Sequence, residues 1–162
     1  MASRCILTRQ GFLQKLHKEG ALQMVAPSDE MKIAYTRKSE SHLTSARLLL
    51  ENDLFEQSVS MAYYSMYYSV LALFFATGIK CENHTAAIIL LKDVFAIDNT
   101  DLEHAKTERI DKQYYVTSAP IRDDVVSLIS TAESFNAALL DVTDRLTTEK
   151  KENYRKKFTG MI

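Results

Sequence analysis

Residues 57–79, QSVSMAYYSMYYSVLALFFATGI, run for 23 positions without a formal charge. A helix of that length is long enough to cross a bilayer. The stretch also holds Gln57, Ser58, Ser60, Ser65, Ser69, Thr77 and four tyrosines, and so much polarity suits a helix buried in protein better than one facing lipid. Ser58, Ala62, Ser65, Ser69, Ala72 and Ala76 recur at alternating spacings of four and three. Small side chains on one face let a neighbouring backbone approach closely. Met61, Tyr64, Tyr67, Tyr68, Leu71, Phe74 and Phe75 fill the other faces. A helix apolar nearly all round belongs at the centre of a bundle or in a subunit interface.

Working outward, Gly78 ends this central helix, and Asn52-Asp53 separates it from a preceding one. That earlier helix starts at Ser28-Asp29-Glu30, a Ser N-cap followed by two carboxylates that suit the helix dipole. Further upstream, Thr8 to Glu19 makes a short helix closed by Gly20. Downstream, Asn83, His84 or Thr85 caps a helix over Ala86 to Phe95, and Asp98 to Asp101 breaks the chain before a polar helix over about Thr100 to Tyr115. The last long helix starts near Ile121. Its bulky stripe of Leu128, Ala132, Phe135, Leu139, Val142 and Leu146 complements the small stripe of the central helix.

Four glycines and two prolines in 162 residues are few for a protein built on turns, and no strand alternation is sustained. The expected fold is therefore all-α, an up-and-down antiparallel bundle of about five helices. Three regions are expected: residues 1–27 as a short helix and connector, residues 28–148 as the bundle, and residues 149–162 as a charged, solvated tail. Hydrophobic residues at 46% and charged residues at 25% match a globular chain. A formal net charge of −1 argues against a surface that is basic throughout. The N-terminus has no continuous apolar segment of the signal-peptide kind. Cys5 and Cys81 form no C-x-x-C pair, so the expected location is cytoplasmic with reduced thiols and no membrane.

Three clusters are candidates for chemistry. Tyr63, Tyr64, Tyr67 and Tyr68 pair one helical turn apart; they read either as a groove that stacks a base or partner side chain, or as helix packing with hydroxyls reaching out. Lys80 and His84, just before a helix start, suit an anion, although capping and solvation explain the same residues. Asp101, His104 and Glu108 share a helix face, but no second histidine stands on that helix; a solvated face is the reading, and no metal is expected. No G-x-S-x-G motif and no phosphate-binding glycine loop occurs, so no cofactor is expected.

The segments ARLLLEN at 46–52 and SMAYYSMYY at 60–68 resemble the core of HEPN-domain proteins. Gly78-Ile79-Lys80 followed by Asn83-His84, and Arg109 with Tyr114 or Tyr115, resemble an uncharacterised archaeal and bacterial branch of that family, as does the lead-in from Gly20 to Ser28. The resemblance spans about Glu19 to Leu146. It implies a usually dimeric helical bundle that binds a minimal nucleotidyltransferase in a toxin–antitoxin-like pair, with a nucleotide or RNA as a further ligand. It implies Tyr64, Tyr67, Tyr68, Lys80, His84, Arg109 and Tyr115 as the binding or interface residues. The alternatives are a metal-independent ribonuclease toxin using His84 and Arg109, and a purely structural oligomerisation module. Many HEPN ribonucleases carry an Arg followed, after four to six residues, by a His. Arg37 and His42 fit that spacing, but they stand on the first long helix rather than late in the bundle, and no Tyr lies two residues after His42.

Overall fold

The computed structural model describes residues 2–114 and 119–162, without the side chains of residues 2–8, 113 and 114. Helix α1 (Ala2–Lys18) leads through a turn at Gly20 into a short strand, β1 (Leu22–Met24). Ser28 caps α2 (Asp29–Glu51) by accepting the Met31 N–H at 3.1 Å. A tight link, with Asp53 at positive φ, turns the chain back into α3 (Phe55–Thr77). Strand β2 (Ile79–Cys81) and helices α4 (His84–Asp93), α5 (Thr100–Tyr114), α6 (Arg122–Asp144) and α7 (Thr148–Thr159) complete the described chain.

Helix α3 is the hub, packed against α2, α4, α5, α6, α7 and β2. Its residues Tyr63, Met66, Val70, Leu73 and Phe74 are fully buried, each contributing about 1.5–3 kcal/mol of transfer free energy. By length and composition α3 and α6 could each cross a membrane, yet most of the apolar stretch of α3 is covered by the bundle itself. The small stripe meets α2 as well as α6. Ser58 Oγ donates to the Ala46 carbonyl at 2.7 Å. Ser39 Oγ donates to Ser65 O at 2.7 Å, and Ser65 Oγ returns a bond to Ser39 O at 2.8 Å. Such a reciprocal clasp requires close backbones, which only small side chains allow. From α6, Asn136 Nδ2 donates to Ser65 Oγ at 2.7 Å, so three helices meet at one serine. The bulky α6 stripe is buried at Leu128, Ala132, Phe135 and Leu139, and α6 packs on α3 as expected.

The fold is mostly α, with two corrections to the expected bundle. Seven helices rather than about five occur among the described residues, because α7 carries so many charges that its buried face, a single Phe158, is hidden in the sequence. The described residues also hold a two-stranded antiparallel sheet, β1 on β2, pairing Leu22 with Cys81, Gln23 with Lys80 and Met24 with Ile79. Strands of three residues are too short to show an alternation. Bonds from Val25 N–H to Gly78 O and from Ser28 N–H to Phe75 O extend the pairing and tie the lead-in to the end of α3.

Candidate phosphate-facing site

The site is built where α3, α4 and α5 meet. Asn83 has extended backbone and its side chain accepts the Ala86 N–H at 2.9 Å, so Asn83 is the α4 N-cap and His84 is the first helical residue. That start aims the His84 ring at the tyrosines of α3. The ring lies flat on Tyr67, with centroids 3.9 Å apart and planes at 10°. The Tyr63 hydroxyl is 2.6 Å from His84 Nδ1, and the Tyr64 ring meets His84 edge-on at 6.0 Å. Arg109 of α5 stands 5.2 Å over the Tyr63 ring and 5.5 Å over Tyr64. Three residues earlier on the same helix face, Lys106 donates to Thr85 Oγ1 at 2.7 Å.

Burial and charge set the protonation states. Tyr63 is fully buried and Tyr67 nearly so, and desolvation pushes both phenols above their ordinary range, so both stay protonated. His84 is pushed the other way, by burial first, then by Arg109 and Lys106. It is therefore neutral near pH 7. A buried phenol needs an acceptor for its proton, and Tyr63 has His84 Nδ1 within reach; Arg109 can only donate. Tyr63 O–H accordingly donates to Nδ1, which leaves the His84 proton on Nε2. The cluster thus presents an imidazole N–H, an ammonium and a guanidinium, all donors.

The sign of the pH dependence follows. A histidine held below its ordinary value of 6.5 takes up its proton later in the folded chain than in the unfolded one. Its contribution to stability is fully present above pH 6.5 and is lost as the pH falls from 6.5 through the lower folded value. Ring NMR titration should place His84 below 6.5, and Arg109→Ala should raise it; no rise in that variant would mean that Arg109 does not act on the ring.

A second aromatic run continues from this corner along the α2–α3 surface. Tyr64 stacks on Tyr68 at 6.1 Å, Tyr68 on Tyr35 at 5.9 Å, and Tyr35 on Phe75 at 5.4 Å. His42 meets Tyr68 edge-on at 4.9 Å, and Lys38 Nζ lies 4.3 Å over the Tyr68 ring.

Of the residues singled out in the sequence, Tyr64, Tyr67, His84 and Arg109 converge. Tyr68 belongs to the adjoining α2–α3 run. Lys80 lies on β2 and pairs with Glu82 at 2.7 Å, with no printed tie to the cluster, and Tyr115 lies outside the described residues. Tyr63 and Lys106 were missed. Tyr63 is one of four tyrosines with the same local pattern, and only the packing of α4 distinguishes it. Lys106 could have been found, since it lies three residues before Arg109 on one helix face. Among the described residues, no three His, Cys, Asp or Glu side chains gather closely enough to hold a metal ion. Cys81 is buried, and burial pushes its thiol up to about 11, which suits a packing role.

The sequence profile of the HEPN domain matches residues 34–143, from within α2 to nearly the end of α6. The chain belongs to the HEPN domain family. The toxin candidate MJ0605 of Methanocaldococcus jannaschii is 28% identical over 104 residues, 60% of this chain and 77% of that protein. The UPF0332 protein PH1297 of Pyrococcus horikoshii is 44% identical over 50 residues, 31% of this chain and 35% of that protein. All the described members of the cluster fall inside the HEPN match, whereas β1 and α7 fall outside it. Within this HEPN domain, Arg37 is exposed and His42 turns its Nδ1 to the Lys38 carbonyl at 2.8 Å.

Proposed function

We propose that this HEPN domain is the toxin-like member of a toxin–antitoxin-like pair in the cytoplasm. It acts as a homodimer bound to a minimal nucleotidyltransferase, and its Tyr63–His84–Lys106–Arg109 cluster receives the phosphate of a nucleotide or RNA. Family membership and the similarity to MJ0605 support the first part. The observation that carries the second is the donor set: His84 Nε2–H, Lys106 and Arg109 lie together at the start of α4, where helix N–H groups add partial positive charge. Burial strengthens such bonds by excluding competing water.

The experiment is affinity capture of the tagged full chain from its native cells, with native mass measurement of the eluate. Recovery of a small nucleotidyltransferase in fixed ratio supports the pair. Recovery of this chain alone, with no ligand, favours the oligomerisation module. Charge substitutions on the half-buried aromatic surface, Tyr64→Glu or Tyr68→Glu, should break the assembly; unchanged stoichiometry would remove that surface from it. The double variant Lys106→Glu/Arg109→Glu should weaken binding of RNA or ATP at least about tenfold and flatten its salt dependence.

The second reading, a metal-independent ribonuclease, is favoured by one observation, the approach of His84 and Arg109 to the same tyrosines. A general base needs a free nitrogen lone pair, and Tyr63 occupies the one at Nδ1. Cleavage of RNA by metal-free protein, lost in His84→Ala and increased in Tyr63→Phe, would establish it; RNA left intact by the wild-type chain would remove it.

A further inference from the structure

A second cavity, of about 170 Å³, opens between α2 and α6 over the small-residue floor of α3. It shares no residue with the aromatic cluster. Its walls are mainly apolar, from Leu43, Ala72, Ala137 and Leu140. That volume matches a single ring or a branched alkyl group, since a dry engineered cavity of roughly 150 Å³ holds benzene.

The polar atoms in the walls are almost all acceptors. Thr36 Oγ1 donates its proton to Lys32 O, Ser69 Oγ to Met66 O and Thr143 Oγ1 to Leu139 O, at 2.7–2.9 Å. Each hydroxyl proton is thus committed to the backbone of its own helix, leaving oxygen lone pairs available. The orientation of Asn136 is dictated by the serine clasp. Ser65 Oγ has given its proton to Ser39 O and can only accept, so the Asn136 amide must turn its NH2 group to it. Asn136 Oδ1 is left buried, with no hydrogen-bond partner among the described residues. An unsatisfied buried carbonyl is costly, and a donor entering the cavity would relieve it. At the mouth, Glu40 supplies a carboxylate that makes no ion pair among the described residues.

We propose that this α2–α6 cavity is a binding site for a small organic cation, a primary ammonium carried on an apolar body of about one ring. The body fills the Leu43–Ala72–Leu140 walls, and the ammonium donates to Asn136 Oδ1 and the wall hydroxyls while facing Glu40. Anions are disfavoured by the same lone pairs, which separates this ligand class from the phosphate-bearing one proposed for the aromatic cluster. The two sites therefore stand or fall independently.

The test uses the full chain with benzylammonium as probe and benzyl alcohol as its uncharged match, followed by amide and methyl NMR shifts. Benzylammonium should saturate with a Kd at or below about 1 mM, moving signals of Ser69, Asn136, Leu140 and Thr143, and benzyl alcohol should bind at least about tenfold more weakly. Asn136→Leu replaces a frustrated amide by an apolar side chain, so it should fold normally and lose binding at least about tenfold. The exposed rim variant Glu40→Gln should lose about threefold or more without touching the core. Equal binding of alcohol and ammonium, no shifts at about 10 mM benzylammonium, or unchanged binding in folded Asn136→Leu would each overturn the proposal.

Discussion

Phe158→Ala is expected to lower the unfolding free energy by about 3–5 kcal/mol, the usual cost of removing a fully buried aromatic side chain. Phe158 has no exposed surface, although it sits in the most highly charged helix of the chain. For a domain whose whole stability is roughly 5–15 kcal/mol, that is a large share. Next to it, Tyr154 meets Phe95 at 4.6 Å, and Phe95 stacks on Phe74 of α3 at 5.1 Å, so α7 continues the core. Urea denaturation should show a shifted midpoint at constant slope. A loss below about 1 kcal/mol would mean that α7 lies off the bundle in solution.

Gly78→Ala should cost a similar amount, roughly 3–5 kcal/mol, for a different reason. Gly78 is the α3 C-cap at φ 89°, where an L side chain is strained by about 1–2 kcal/mol. A Cβ there would lie 2.0 Å from Arg155 Nη1 and 2.6 Å from Val25 O. Arg155 could swing away, but Nη1 donates to Val25 O at 2.7 Å, Gly78 O at 3.1 Å and Thr77 O at 3.2 Å. Moving it would strip bonds from three carbonyls, two of them at the end of a helix that has no further partners for them. Thermal melts of Gly78→Ala, Arg155→Ala and the double variant form a cycle. Strong non-additivity is expected, since Gly78→Ala already displaces Arg155; additive losses would show that the clash is absorbed elsewhere.

Much of the framework was legible in local chemistry. Ser28 and Gly78 mark helix ends because one accepts an orphan N–H and the other adopts positive φ. Both signals act within a few residues, so they need no tertiary information. The uncharged run around Tyr63 to Tyr68 announced a central helix, and it is the hub. Strands β1 and β2 escaped notice because three residues carry no periodicity and their pairing joins Leu22 to Cys81 across the whole of α2 and α3. Among the candidate site residues, Tyr64, Tyr67, His84 and Arg109 were named for their side-chain chemistry, whereas Lys80 was named for its place before a helix and instead pairs with Glu82.

By itself, the sequence determined that the chain is mainly helical, that residues 57–79 lie at its centre, and where the principal helices begin and end. Those properties depend on composition and on spacings of three and four, which one strand of text displays. Only the tertiary structure decided that His84 lies on Tyr67, that Tyr63 takes its Nδ1, and that Lys106 and Arg109 gather beside it. It also decided that Arg155 and Phe158 belong to the core rather than to a solvated end. Those facts rest on contacts between residues up to 130 positions apart, and on burial that changes what an imidazole, a phenol or a guanidinium does.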